Sequence, residues 1–493
     1  MRFAAAPVGD LRWRAPVEPP RIEGVEKATR LPPICWGLAM DYPKDGVDED
    51  CLFVNVWTPS RATPQSKLPV WVFIGGGGYI SLTNANWNGA EVVEKSDQNI
   101  VMVNFNYRVG IFGFLASERV RENGDLNVGL LDQRMLLHWV KKHIGEFGGD
   151  PDHVVIHGAS AGAGSVAMHM IAYGGREDKL FVGAAAESIF FPAQPTVPEL
   201  EYQFDRALNQ TGCQDKSPRS EQISCLRKLP TAALQAANFY QPFPGRPQWP
   251  QPLFYWTPCI DGTFITDLPS NLFQRSRFVN VPVLFGTDTD EGSLFAPNAD
   301  SPSAVATFLG NNYPNLTPNL TTSILAQYSK PLPSLPQHAP YFPIASRAYG
   351  EATFICPSLN VLTHLGNSTK RFSYRYNVQD EENIASGVGV PHLFEAAAVF
   401  GPDNIGGHAK ASYWTYNAPI VPVVMKYWIS FVRALDPNVY RENGSPKWKE
   451  WDNKGMERLV LETGKSRMES VSEEERERCA FWEGLGEVLE QRR

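Results

Sequence analysis

Long apolar runs, basic stripes and internal repeats are all missing from this sequence of 493 residues. Without an apolar run of about 18 residues there is no candidate transmembrane helix. A net charge of −8 with no basic stripe argues against nucleic acid as a partner. The remaining composition, 43% hydrophobic and 20% charged, is that of an ordinary globular protein and carries no signal for oligomeric state.

The first residues, MRFAAAPVGDLRWRAPVEPP, also lack the apolar segment of a secretory signal peptide. Other features are typical of extracellular proteins. There are seven cysteines, an odd number that leaves at least one unpaired. Glycosylation sequons, which also arise by chance, occur at Asn209, Asn315, Asn319, Asn367 and Asn443.

Apolar runs rich in β-branched residues predict buried parallel strands. Four such runs occupy residues 68–74, 99–107, 153–158 and 279–287. Residues 127–147 have the apolar spacing of a helix, and residues 370–377 predict a later strand. Strands that alternate with helices predict an α/β fold, with a large and mostly parallel central sheet flanked by helices.

Ser160 lies in the stretch IHGASAGAGSV, between glycines at positions 158 and 162. A Gly-x-Ser-x-Gly motif alone is weak, but here it joins a β-branched strand to an Ala/Gly-rich helix start. Such a sharp turn exposes a nucleophilic hydroxyl at the sheet edge and aims the N–H of Ala161 at developing negative charge. We therefore predict that Ser160 is a nucleophile. A structural glycine turn and an anion-binding loop are the alternatives.

A second glycine-rich segment, IGGGGYI at residues 74–80, directly follows the predicted strand 68–74. Consecutive glycines let several backbone N–H groups point at one place. A phosphate-binding loop would require a Lys-Ser/Thr pair after the glycines, and none is present. We predict an oxyanion hole in which Gly77 and Gly78 act together with Ala161.

Several long segments resemble the type-B carboxylesterase/lipase family, which includes cholinesterases and fungal lipases. They follow the family order along nearly the whole chain: EDCLFVNVWTP (49–59), NYRVGIFGFL (106–115), NVGLLDQRMLLHWV (127–140), FGGDPDHVVIHGASAGAGSV (147–166), GTDTDEGSLF (286–295) and GVGVPHLFEAAAVFG (387–401). The resemblance implies a single α/β-hydrolase domain over residues 1–493. Since the chain begins inside a segment that family members have further along, we expect it to lack the usual N-terminal segment.

The resemblance assigns Glu291 as the acid and His392 as the base of a catalytic triad. The order Ser160, Glu291, His392 is the one expected of an α/β-hydrolase. His392 lies in a loop bounded by Gly and Pro. Structural roles fit the histidines at 138, 143, 157 and 169, which lie in predicted helices or strands. No cluster of ligands indicates a metal, and no cofactor is expected.

Cys35 with Cys51, and Cys213 with Cys225, match two disulfides of the family. The three other cysteines, at 259, 356 and 479, have no assigned pairing. The loop between Cys35 and Cys51 forms a lid in lipases of the family. Here it is short, polar and acidic, which favours an esterase with an open site.

Tyr79, Phe254 and Phe295 are candidates for the substrate pocket, and Phe254 falls near the acyl-pocket position of the family. Ordinary core packing is the alternative for each of them. Ala159 stands where cholinesterase-like members have Glu, which argues against a cationic substrate.

The resemblance therefore implies a serine carboxylesterase that acts on a small-molecule ester through an acyl-enzyme. A triacylglycerol lipase of the same family is the nearest alternative. A non-catalytic binding protein of this family would be expected to lack a triad residue, and a peptidase would lack the segments at 49–59 and 286–295. The family, the cysteine pairs and the sequons together predict a secreted protein.

Overall fold

The computed structural model describes residues 1–21, 23–25, 27–328, 337–366 and 369–491. Its centre is a nine-stranded sheet in the order β1-β3-β2-β4-β5-β6-β7-β8-β9. The strands are β1 Val54–Trp57, β2 Leu68–Ile74, β3 Val101–Phe105, β4 Gly149–Ala159, β5 Gly183–Glu187, β6 Val283–Asp288, β7 Arg371–Tyr376, β8 Glu457–Leu461 and β9 Arg467–Ser470. Pairing is antiparallel at the two edges, β1 with β3 and β8 with β9, and parallel in between.

Helices connect these strands. They are α1 Ala90–Lys95, α2 Gly110–Phe114, α3 Glu118–Asn123, α4 Val128–His143, α5 Ala161–Gly175, α6 Val197–Thr211, α7 Ser220–Lys228, α8 Thr231–Ala236, α9 Pro269–Gln274, α10 Pro302–Asn312, α11 Pro318–Gln327, α12 Phe342–Gly350, α13 Cys356–His364, α14 Glu381–Ser386, α15 Ala396–Phe400, α16 Ile420–Ala434 and α17 Glu473–Gly484. None of the helices in the described ranges is both long and apolar enough to cross a bilayer.

The sheet is buried on both faces, and each face has its own apolar cluster. In β2, Val70, Val72 and Ile74 belong to one cluster, whereas Trp71 and Phe73 belong to the other. Successive side chains of a strand point to opposite faces, so a nearly continuous apolar run is what a strand covered on both sides requires.

The α/β prediction is confirmed. The run at 68–74 coincides with β2, the run at 153–158 lies inside the longer β4, and the helix predicted over 127–147 is α4. Four sequons, at Asn209, Asn315, Asn319 and Asn443, are exposed, whereas Asn367 lies outside the described residues.

Three disulfides join the cysteines. Two are the pairs that the family resemblance implies, Cys35–Cys51 and Cys213–Cys225. The third, Cys356–Cys479, joins α13 to α17 across 123 residues. Cys259 is a free, buried thiol.

Residues 490 and 491 pack against the segment that follows β5. The side-chain amide of Gln491 donates to the carbonyl oxygens of Phe191, at 2.5 Å, and Ala352, at 3.1 Å. The N–H of Gln194 donates to the carbonyl oxygen of Glu490. A segment late in the sequence therefore supports one that lies some 300 residues earlier.

Candidate active site

Ser160 occupies a sharp turn between β4 and α5. Its backbone has φ 58° and ψ −121°, a conformation that is strained for any residue with a side chain. A side-chain carbon on Gly162 would lie 2.0 Å from the carbonyl oxygen of Ile74, and one on Gly158 would lie 2.2 Å from that of Gly162. Because the helix starts so close to the sheet, the turn requires glycine on both sides of the serine.

Glu291 and His392 form a hydrogen-bonded pair. Nδ1–H of His392 donates to Oε2 of Glu291 at 2.5 Å. The other carboxylate oxygen, Oε1, accepts the hydroxyl of Ser188 at 2.5 Å and the N–H of Asp288 at 2.8 Å. Nε2 of His392 is buried and, within the described ranges, has no hydrogen-bond partner. The imidazole is thus fixed on one side and has a free nitrogen on the other.

Glu187 and Ser188, at the end of β5, connect Ser160 to the pair of Glu291 and His392. The carbonyl oxygen of Glu187, the last residue of β5, accepts the N–H of Ser160 at 2.8 Å. The next residue, Ser188, donates its hydroxyl to Glu291. Since β4 to β7 are adjacent and parallel, the serine turn, the glutamate turn and the histidine loop follow strand ends at one edge of the sheet.

The glycine segment after β2 lies against the serine. A side-chain carbon on Gly76 would be 3.0 Å from Cβ of Ser160, and the N–H of Gly76 donates to Oδ1 of Asn84 at 2.9 Å. In the part of the chain that the structure describes, the N–H groups of Gly77, Gly78 and Ala161 donate to no other protein group. The arrangement leaves three N–H groups unused close to the serine.

Aromatic side chains surround His392 and Gly78. Phe295 and Phe354 pack against the imidazole, with ring centroids 5.2 and 4.4 Å away. Phe254 covers Gly78 so closely that a side-chain carbon there would lie 2.1 Å from Cε1 of the ring. Phe190 packs against both Phe254 and Phe354, which closes the wall.

The three predicted pocket residues differ in their surroundings. Phe254 and Phe295 belong to this aromatic wall and are partly buried. Tyr79 is fully buried and packs against Phe114 and Phe190. Phe354 was not predicted, because it lies in a helical turn, Glu351–Ile355, that no sequence motif marks.

A cavity of about 220 Å³ lies next to this wall. Phe254 lines it, together with Tyr349, Tyr313 and Leu200. The ring of Phe254 therefore stands between Gly78 and the cavity, and its size determines whether the two spaces are separate.

Sequence reasoning also missed a group of buried carboxyl groups beneath the site. Burial raises the pKa of Glu187 and Asp288 well above the ordinary range, and it raises that of Glu395 to about 7. Burial lowers the pKa of His157 to about 3. His157 accepts the indole N–H of Trp71 at Nδ1 and is therefore a neutral structural residue that packs in the core.

The chain is similar to known proteins over nearly its whole length. The model of the Carboxylesterase family matches residues 1–482. Secreted lipase 4 of Gibberella zeae is 28% identical over 97% of this chain and 86% of its own length. Secreted lipase 1 of Botryotinia fuckeliana is 30% identical over 92% of this chain and 83% of its own. The crystal structure of Aspergillus niger EstA matches with a TM-score of 0.96 at 51% identity, covering 99% of this chain and 94% of EstA.

Proposed function

This chain belongs to the carboxylesterase family and hydrolyses carboxylic esters, and we propose that Ser160, His392 and Glu291 are its catalytic triad. The observation that carries the proposal is the 2.5 Å hydrogen bond from His392 to Glu291, which leaves Nε2 free at the sheet edge where Ser160 turns. The strained backbone of Ser160 supports the same role, because a nucleophile must stand clear of the sheet.

In the first step, Nε2 of His392 takes the proton of the Ser160 hydroxyl, and Oγ attacks the ester carbonyl carbon. Glu291 holds the imidazole in the tautomer that has its proton on Nδ1, and its charge stabilises the imidazolium. The tetrahedral oxyanion accepts hydrogen bonds from the N–H groups of Gly77, Gly78 and Ala161. His392 then protonates the leaving alcohol, which yields an acyl-enzyme.

In the second step, water replaces the alcohol. His392 removes a proton from the water, whose oxygen attacks the acyl carbon, and the same proton returns to Oγ of Ser160 as the carboxylic acid leaves. His392 therefore acts as the base in both steps. Neither step requires a metal or a cofactor.

A carboxylesterase with an open site is the main proposal, because the loop between Cys35 and Cys51 has few residues with which to cover a large apolar pocket. A lipase is the second candidate. Two relatives are named secreted lipases, and the 220 Å³ cavity beside Phe254 offers space for a longer acyl chain. The same two names and the three disulfides support an extracellular location.

Hydrolysis of p-nitrophenyl esters from acetate to palmitate tests the proposal. We expect Ser160→Ala to lower kcat by about 10⁴-fold or more, while Ser323→Ala, on the exposed side of α11, keeps wild-type activity. Hydrolysis by Ser160→Ala at the wild-type rate would disprove the triad. A preference for short acyl chains supports the esterase, whereas one for long chains supports the lipase.

A further inference from the structure

Asp290 connects the turn that carries Glu291 to the loop that carries His392. Its N–H donates to the carbonyl oxygen of Val390 at 2.9 Å, and its side-chain Oδ2 accepts the N–H of the same residue at 2.9 Å. A β-bridge continues the contact between Asp290 and Pro391. Asp290 immediately precedes Glu291, and Pro391 immediately precedes His392. Glu291 and His392 are therefore held together both by their own hydrogen bond and by the contacts of the residues that precede them.

Gly389 fits against the same carboxylate. Its φ is +65°, and a side-chain carbon on it would lie 2.2 Å from Oδ2 of Asp290. The carboxylate thus occupies the space that a side chain at position 389 would need. Such a close approach makes the position of the loop sensitive to the atoms of Asp290.

Packing alone does not hold this junction. A cavity of about 560 Å³ lies beside it, lined by residues 287–293 of the glutamate turn and residues 387–389 of the histidine loop. On this side, two hydrogen bonds between Asp290 and Val390 join the turn to the loop. Charged groups that interact with the Asp290 carboxylate include Arg347 from α12, Arg375 from β7 and Glu291.

We propose that Asp290 is a positioning residue for ester hydrolysis, and that its carboxylate sets the place of His392 relative to Glu291. The inference rests on the triad of the proposed function. Asp290 touches neither substrate nor reacting atoms in this role. It acts through Val390, two residues before the base. The bond from the N–H of Asp290 to the carbonyl oxygen of Val390 does not replace the bond from the N–H of Val390 to the carboxylate of Asp290.

Misplacement of a catalytic group by about 1 Å can cost about 10²-fold in rate. We therefore expect Asp290→Ala to lower kcat by about 10- to 100-fold and to change KM by less than about twofold, because the aromatic wall is untouched. Asp290→Asn keeps an oxygen that accepts the N–H of Val390, so this conservative variant is expected to recover most of the lost rate.

A second, spectroscopic effect is also expected. The downfield resonance of the Nδ1 proton of His392, which donates to Glu291, should shift or disappear in Asp290→Ala and persist in Asp290→Asn.

Gly389→Ala tests the contact from its other side. In the wild type, the added carbon collides with Oδ2 of Asp290, whereas in Asp290→Ala that oxygen is gone. The backbone strain of alanine at a positive φ is the same in both backgrounds and cancels in a double-mutant cycle. We expect Gly389→Ala to lower kcat by at least tenfold more in the wild type than in Asp290→Ala.

The experiment measures kcat and KM with p-nitrophenyl butyrate, the downfield proton spectrum and the melting temperature for all four members of the cycle, Asp290→Asn and Ser160→Ala. Asp261→Ala is the matched control, since its carboxylate also accepts backbone N–H groups, those of Thr263 and Ile265, at a turn that shares no hydrogen bond with the triad among the described residues. It should lower the melting temperature without changing kcat.

Folded Asp290→Ala with wild-type kcat and an unmoved downfield resonance would overturn the inference, as would an equal loss of rate in Asp290→Asn. If Asp290→Ala does not fold, Gly389→Ala alone decides: wild-type kcat in that variant overturns the inference. Wild-type activity in Ser160→Ala would instead disprove the triad of the proposed function. The failure of the proposed function is therefore distinguishable from the failure of this inference.

Discussion

Ser188 and His392 bind opposite oxygens of one carboxylate: the serine hydroxyl donates to Oε1 of Glu291 and the imidazole to Oε2, each at 2.5 Å. Glu291 is buried, so both of its oxygens need donors. With Ser188 and the N–H of Asp288 on Oε1, the carboxylate has little freedom to rotate, and Oε2 stays directed at His392.

Replacement of Ser188 by alanine should therefore weaken the proposed base, His392, rather than substrate binding. A hydrogen bond to a charged group contributes about 1.5–3 kcal/mol, which corresponds to a loss of about 10- to 150-fold in kcat. Steady-state kinetics with p-nitrophenyl butyrate measures the effect. Ser293→Ala is the control, because Ser293 is buried in the turn that carries Glu291 and its hydroxyl has no partner among the described residues. Equal kcat values for the two variants would contradict this role of Ser188.

Phe254→Ala should connect the space at Gly78 with the cavity of about 220 Å³ behind the ring. We expect the ratio of kcat/KM for p-nitrophenyl octanoate to that for the acetate to rise by about tenfold or more, because the longer chain gains apolar contact area. Phe243→Ala enlarges the same cavity from another wall and leaves Phe254 in place. An equal change of preference in both variants would show that Phe254 does not separate the two spaces.

Glu395 should make the free energy of unfolding depend on pH. Burial raises its pKa from 4.5 to about 7, and the hydroxyl of Tyr374 donates to its Oε1. In the unfolded chain the carboxyl loses its proton near pH 4.5, whereas in the folded protein it keeps the proton until about pH 7. The folded state therefore binds more protons in this window, and the free energy of unfolding falls as pH rises through it, by at most about 1.4 kcal/mol per pH unit. Above about pH 7 this contribution is constant.

Glu395→Gln resembles the protonated carboxyl and should flatten that slope. Urea denaturation at a series of pH values from 4.5 to 8 measures it. The control is Glu94→Gln, on the exposed surface of α1. Identical slopes in the wild type and Glu395→Gln would rule out a raised pKa at this residue.

Removal of the Cys356–Cys479 disulfide should destabilise the protein strongly, because it closes a loop across 123 residues. In the chain-entropy model a loop of this size is worth roughly 5 kcal/mol of unfolding free energy. The double variant Cys356→Ala/Cys479→Ala, compared with Cys259→Ala, provides the test in urea. Cys259 is buried but unpaired, so its replacement changes packing alone. A double variant as stable as Cys259→Ala would contradict the model.

Local patterns predicted the central fold and missed the contacts between distant segments. The run at 68–74 predicts β2 because its seven consecutive residues suit a strand that is buried on both faces. The motif around Ser160 likewise predicts the turn in which Ser160 lies. The pairing of Cys356 with Cys479 depends on how α13 lies against α17, which no local pattern encodes.

The sequence also did not predict Ser188 and Asp290, because their contacts likewise join distant segments. Ser188 is an ordinary serine in the sequence, and its importance comes from the parallel pairing of β5 with β6. Asp290 stands next to a motif residue, but its bond to Val390 crosses 100 positions. Sequence motifs mark groups that do chemistry directly, whereas the groups that hold them appear once the strands are assembled.

The contact between Gln491 and Phe191 gives synthesis on the ribosome a definite order of events. At about 5–20 residues per second, roughly 15–60 s separate the translation of residue 191 from that of residue 491. Throughout that interval the carbonyl oxygen of Phe191, next to the aromatic wall, lacks the amide that later binds it. The nascent polypeptide can therefore form this support of the wall only after residue 491 has been translated, when β9, which ends at Ser470, has already been made.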